Sequence, residues 1–181
     1  MNTTKTSIPV KKMVLIALFT AVLCAVAPFS INIGPIPLSF ATLVIYLAAG
    51  TLDWKYSTLA VLLYVLLGAI GLPVFSNFEG GFHKIAGPTG GFIIGYIPLA
   101  LATGISTERF NTKRIVYILG MVIGTVLLYT CGVIWFMFQA RVSLVVALMA
   151  CVVPFLIGDT IKIIVASIVA PQLRTALRKT Q

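Results

Sequence analysis

Two charges stand in an otherwise apolar stretch near the C-terminal end of the chain. Asp159 and Lys162 interrupt the run from Val142 to Leu173. Three positions apart, they share one face of a helix. An ionised carboxylate only accepts hydrogen bonds and an ammonium only donates them. Together they can pair with each other, or offer a ligand both kinds of polar contact. The two readings are compatible, and charges inside apolar spans are costly enough to mark a function by default. Pro154 and Gly158 precede the pair. A proline there frees backbone polar groups of the preceding turn. Freed backbone at membrane depth is tolerated inside protein or beside a water-filled cavity. A polar pocket is therefore expected near the start of this helix.

A second candidate is the segment from Leu72 to Gly91, rich in glycine and aromatics and long for a helix connection. Such loops often form binding lids. Its Gly87-Pro88-Thr89-Gly90-Gly91 run lacks the GxxxxGK[ST] spacing and a preceding parallel strand, so it does not read as a phosphate loop. Its glycines let backbone approach a ligand or a neighbouring helix closely. His83 is the chain's single histidine, with no second ligand at metal spacing, and reads as a surface residue. A third candidate is the small-residue stripe Ala17, Ala21 and Ala25. Residues four apart on a helix allow close contact, with another chain or within the bundle. The cysteines Cys24, Cys131 and Cys151 all lie in apolar runs without CxxC or Cys/His spacing, so neither a disulfide framework nor a metal site is expected. The four acids are Asp53, Glu79, Glu108 and Asp159. They form no paired-carboxylate site, and no Ser/His/Asp set or HExxH accompanies them.

The composition fixes what must position these groups. Of 181 residues, 60% are hydrophobic and 9% are charged. Soluble domains carry about 25% charged residues. A soluble enzyme and a disordered chain are both excluded. The remaining class is an all-α integral membrane protein. The net charge of +9 fits basic residues flanking membrane spans, and nucleic acid is not expected as a partner.

A helix needs about 20 residues to cross a bilayer. The forty uncharged residues from Met13 to Leu52 hold two helices, divided at Gly34-Pro35-Ile36-Pro37. Six spans follow in one domain over residues 1–181, at about 13–30, 37–52, 56–72, 91–107, 115–137 and 143–172. With both termini cytoplasmic, the inner segments carry Lys5, Lys11, Lys12, Lys55, Arg109, Lys113, Arg114, Arg174, Arg178 and Lys179, ten of the thirteen basic residues. Lys84 and Arg141 fall in outer loops. Lys162 lies twelve positions before Arg174, about 18 Å along a helix, which puts it in the outer half of the membrane. Ala25-Val26-Ala27 after a basic and apolar start resembles a secretory cleavage site, but Pro28 follows the scissile position and the apolar run continues, so no cleavage is expected.

Six segments then carry a resemblance. They are Gly34-Pro35-Ile36-Pro37, Leu47-Ala48-Ala49-Gly50, Ala60-Val61-Leu62-Leu63-Tyr64-Val65-Leu66-Leu67-Gly68, Gly71-Leu72-Pro73-Val74-Phe75, Gly87-Pro88-Thr89-Gly90-Gly91-Phe92 with Gly95, and Pro154-Phe155-Leu156-Ile157-Gly158-Asp159-Thr160-Ile161-Lys162. In this order and spacing, from about Lys12 to Leu173, the sequence resembles the BioY family, the biotin-binding S components of energy-coupling factor (ECF) transporters. The resemblance implies a six-helix S-component fold in the cell membrane, with a pocket open to the outside that captures biotin. It implies no enzyme activity and no cofactor in this chain. Partners would be a transmembrane T subunit and two ATPases whose ATP hydrolysis drives toppling of the loaded S component. Family members that work without those subunits leave that partnership open. Substrate contacts would be Asp159, Lys162, Asn77, Phe75, Gly90, Gly91 and Phe92, and T-subunit docking would use Ala17 and Ala21. The ureido N–H groups of biotin suit Asp159, and its carbonyl or its valerate carboxylate suits Lys162. One departure stands at Ala41, where the family commonly has glutamine. The alternatives are an S component for another small vitamin, an intramembrane enzyme using Asp159 or Lys162, and a structural membrane protein that only docks partners.

Overall fold

In an apolar medium every backbone N–H and C=O must find its partner within the protein, and a helix does this locally. The apolar runs of this chain accordingly fold as helices. The structure is a computed structural model that describes residues 9–32, 34–109 and 114–179. Lys5 and Lys113, two of the basic residues counted above, lie outside them. The described helices are α1 (Val10–Val26), α2 (Ala41–Thr51), α3 (Trp54–Ala69), α4 (Phe82–Ala86), α5 (Gly90–Arg109), α6 (Arg114–Ala140), α7 (Leu144–Cys151) and α8 (Val153–Lys179). A two-stranded antiparallel hairpin, β1 (Ser30–Asn32) and β2 (Pro37–Ser39), joins α1 to α2. Among the described residues, three helices are long and apolar enough to cross a membrane, within Gly90–Arg109, Arg114–Ala140 and Val153–Leu177.

α2 is the hub. All its residues except Leu43 and Leu47 are buried. A helix apolar on every side has to be enclosed, and α2 packs against α8, α5, α1 and α3. Its 11 residues reach only about 16 Å, short of a bilayer core. The expected span at 37–52 is therefore helix only from Ala41, and its first residues are strand. Pro35 and Pro37 lack the N–H a helix needs. The Ser39 hydroxyl accepts the Ala41 N–H at 3.1 Å, starting the helix there.

The last span also differs from the expectation. The stretch from residue 143 onward is two helices, divided at Val152, whose φ of −123° and ψ of −55° leave helical geometry. Pro154 is the cause: it fits the first turn of a new helix, where its missing N–H is unneeded, and does not fit inside an old one. α8 then continues through Pro171 to Lys179.

Four of the basic side chains make polar contacts at one end of the bundle. Lys12 pairs with Asp53 at 2.8 Å and stands over the Tyr56 ring at 4.5 Å. The Trp54 N–H donates to Glu108, Lys11 to the Leu177 carbonyl, Arg174 to the Thr107 carbonyl, and Arg114 to Ser167. This end collects the starts of α1, α3 and α6 with the ends of α5 and α8. The hairpin, the segment between α3 and α5, and the α7–α8 break lie at the other end.

Aromatic rings near that other end pack where glycines leave room. Side-chain atoms added at Gly68 would collide with Phe75, and at Gly132 with Phe92. Overpacking of this kind typically costs about 1–3 kcal/mol. Gly132→Val should lower stability by about that amount, read as a lower melting temperature in detergent, and an unchanged melt would show the Phe92 ring free to move aside.

Candidate ligand-binding site

The end of the bundle opposite the basic contacts encloses an open cavity of about 630 Å³, including the space at its mouth. Six rings line it: Tyr64, Phe75, Phe92, Tyr96, Tyr129 and Phe155. Tyr64 meets Phe75 edge to face at 5.7 Å, and Phe92 meets Phe155 likewise at 6.5 Å. β2 supplies Pro37, Leu38 and Ser39, while the segment after α3 supplies Phe75, Ser76, Lys84 and Thr89. Leu38 lies against Gly158 of α8, where a side chain would press on it.

Asp159 and Lys162 are part of this lining and are only 4% and 6% exposed. Their placement one turn apart on α8 brings Nζ to 2.9 Å from Asp159 Oδ1. Lys162 also donates to the Ser39 carbonyl at 2.8 Å and to Thr42 Oγ1 at 3.0 Å. An ammonium has three donors, so all three are engaged. Asp159 Oδ1 also accepts from Thr42 at 3.2 Å, and Oδ2 accepts from the Tyr129 hydroxyl at 2.6 Å. A carboxylate offers about four acceptor positions. Three are filled, which leaves one on Oδ2 for a ligand N–H.

Tyr129, Thr42 and Ser39 were not singled out by the sequence reading. Hydroxyl residues are ordinary in spans, so their types carried no signal. The available signal was indirect: a buried carboxylate and ammonium require partners, and those must come from neighbouring helices at the same depth. Ala41 is fully buried and is not part of the lining; the adjacent Thr42 is.

The remaining candidates fall in different places. Phe75 and Phe92 line the cavity. Gly90 and Gly91 do not; both are buried, and a side chain would collide with the Ile85 carbonyl at Gly90 and with Trp135 of α6 at Gly91. Trp135 also donates to the Gly87 carbonyl at 2.8 Å and Gln139 donates to the Ala86 carbonyl, fastening the glycine-rich segment to α6. Asn77 is outside the lining and bonds to the hairpin instead. Ala17 and Ala21 are exposed along α1. His83 is exposed on α4, and the three cysteines are free. Among the described residues no cluster of His, Cys, Asp and Glu is placed to hold a metal.

Lys84, expected in an outer loop, stands at the cavity beside Glu79. Partial burial pulls its ammonium below the usual lysine range.

The comparisons with known proteins agree on one group. A sequence model described as the BioY family matches residues 1–179. A Thermotoga maritima protein named biotin transporter BioY is 37% identical over 164 residues, covering 91% of this chain and 96% of its own. A Pyrococcus horikoshii protein named probable biotin transporter BioY is 35% identical with the same coverage. The crystal structure of the S-component for biotin from an ECF-type ABC transporter superposes with a TM-score of 0.84 at 26% identity, covering 97% of this chain and 95% of that one.

Removing one member of a buried ion pair typically costs about 3–5 kcal/mol, because the other charge is stranded. Lys162→Met should therefore melt well below wild type in detergent, and adding Asp159→Asn to it should restore most of the loss. Equal melting of the single and double variants would show that the two charges do not depend on each other.

Proposed function

Because the chain belongs to the BioY family, we propose that it captures biotin and serves as the substrate-binding S component of an ECF-type transporter. The family and the structural neighbour are transport components rather than enzymes. The observation that carries the reading is the Asp159–Lys162 pair in the wall of an open, aromatic-lined cavity.

The chemistry of the cavity suits the ligand. A ureido N–H takes the free acceptor position on Asp159 Oδ2. The ureido carbonyl takes a Lys162 N–H in exchange for one of its present acceptors. The sulfur ring and alkyl chain lie among apolar walls that include Phe75 and Phe92, as small-molecule sites generally arrange apolar parts. The carboxylate reaches Lys84 at the mouth. Gly90 and Gly91 act through packing, by seating the cavity segment against α6. Groups left unpaired by an analogue penalise its binding, which favours the cognate vitamin.

In the cell membrane, α1, α2 with its hairpin, α3, α5, α6 and α8 make six crossings. The end rich in basic contacts faces the cytoplasm with both termini, in keeping with the placement of lysine and arginine. The cavity opens to the outside. The exposed Ala17 and Ala21 on α1 offer a flat helix surface to a T subunit, and ATP is hydrolysed by two partner ATPases. Biotin is cargo, and the chain itself holds no cofactor.

The test is equilibrium binding of labelled biotin to purified protein. Wild type should bind tightly and saturably, and Asp159→Asn should weaken binding at least about 100-fold, on the scale of a stranded buried polar group. A folded wild type that binds no biotin would sink the assignment.

Lys84 gives a separate readout. Its contribution holds while the ammonium is charged and disappears as pH rises through its lowered pKa. Affinity should fall by about tenfold over a range below that of an ordinary lysine. Lys84→Met should start about as weak and show no such limb; a wild-type profile that is flat on the alkaline side would remove Lys84 from the site.

A further inference from the structure

Two separate stretches of chain form neighbouring parts of the cavity wall. β2 contributes Pro37, Leu38 and Ser39, and the segment after α3 contributes Phe75 and Ser76. The side-chain hydrogen bonds between the hairpin and that segment, outside the cavity lining, run through Asn77. The Ser30 hydroxyl donates to Asn77 Oδ1 at 2.9 Å, Asn77 Nδ2 donates to Asn32 Oδ1 at 3.2 Å, and the Asn77 N–H donates to the Pro28 carbonyl at 2.9 Å. Next to these bonds, Phe78 meets Phe29 edge to face at 5.3 Å. Asn77 and Phe78 both hold positive φ, at 63° and 57°. Asparagine is among the non-glycine residues that best accept that region, whereas phenylalanine has no such ease. The turn is thus bent toward the hairpin at both positions, and the Asn77 side chain is spent on the hairpin, outside the cavity lining.

We infer that Asn77 is a positioning residue that clasps the hairpin to the α3–α4 segment, so that both parts of the wall open and close as one body and bound ligand is retained. The ligand named in the test follows from the reading above; the clasp itself does not. With the clasp intact, a ligand leaves only when both stretches move together. With it broken, either can move alone, and exit is faster although every lining side chain is still present. The expected effect is therefore on the dissociation rate, where most affinity differences among variants of one site arise.

The test compares Asn77→Ala, the double variant Ser30→Ala/Asn32→Ala, and the triple variant. Each of the first two should speed biotin dissociation about tenfold, the scale of one or two net hydrogen bonds. The triple should be no faster than either, because groups in one network are not additive. A double variant that releases biotin at the wild-type rate overturns the clasp. If Asn77→Ala alone accelerates release, Asn77 touches the ligand directly and the assignment is wrong in that way. Amide hydrogen exchange without ligand provides the independent arm. Ser30→Ala/Asn32→Ala should raise exchange across Phe75–Glu79 as well as in the hairpin. Unchanged exchange in Phe75–Glu79 overturns the clasp whether or not the protein binds biotin.

Discussion

A lysine and an aspartate placed one turn apart inside an apolar bundle set the terms for the structure around them. Neither charge is tolerated there alone. Their mutual contact at 2.9 Å leaves the remaining donors and acceptors to be matched. The matches come from Ser39 in β2, Thr42 in α2 and Tyr129 in α6. The pair therefore ties three other parts of the chain to α8 at a single depth. That depth is the cavity floor, and the shortness of α2 follows the same logic. The chain reaches Ser39 as strand, so its carbonyl is free of helix bonding and accepts from Lys162.

Apart from the short Leu52–Asp53 link between α2 and α3, the described backbone that is not helical gathers at one end of the molecule, together with the cavity. The hairpin, the α3–α4 segment and the α7–α8 break all lie there. Polar backbone at such a place needs protein or water beside it. The hairpin pairs with itself, and the segment after α3 is held by its own contacts. Phe75 and Glu79 bridge, and the Gly81 N–H reaches the Gly68 carbonyl at 2.6 Å. Tight glycine packing then fixes the rings of the wall. The site is thus a rigid aromatic half, seated on α3, α5 and α6, facing a hairpin half held by hydrogen bonds.

Much of this was legible in the sequence because the chain is apolar and its exceptions are few. Charges at 159 and 162 stand out in such a background, and uncharged runs mark the helices directly. The prolines at 35, 37 and 154 signalled interruptions but not their form. A proline excludes helix without choosing strand, and pairing of β1 with β2 depends on contacts distant in sequence. Thr42 and Tyr129 were illegible for a related reason. Their importance comes from which carboxylate they face, and that is a property of packing. Asn77 and Gly90 show the limit of a motif. The resemblance implies that both contact the ligand, yet Asn77 turns to the hairpin and Gly90 lies against the Ile85 carbonyl.

The arrangement of charge around the cavity has an electrical consequence. Asp159 is matched by Lys162, and Glu79 by Lys84. Empty, the cavity is close to neutral, and a monoanionic cargo makes it carry one net negative charge. Moving one charge through the full membrane field involves about 2.3 kcal/mol per 100 mV. For inward movement against a negative interior, that work is unfavourable. In the uptake role proposed above, the cargo's charge would therefore add work against the membrane field that the paired charges of the empty cavity do not.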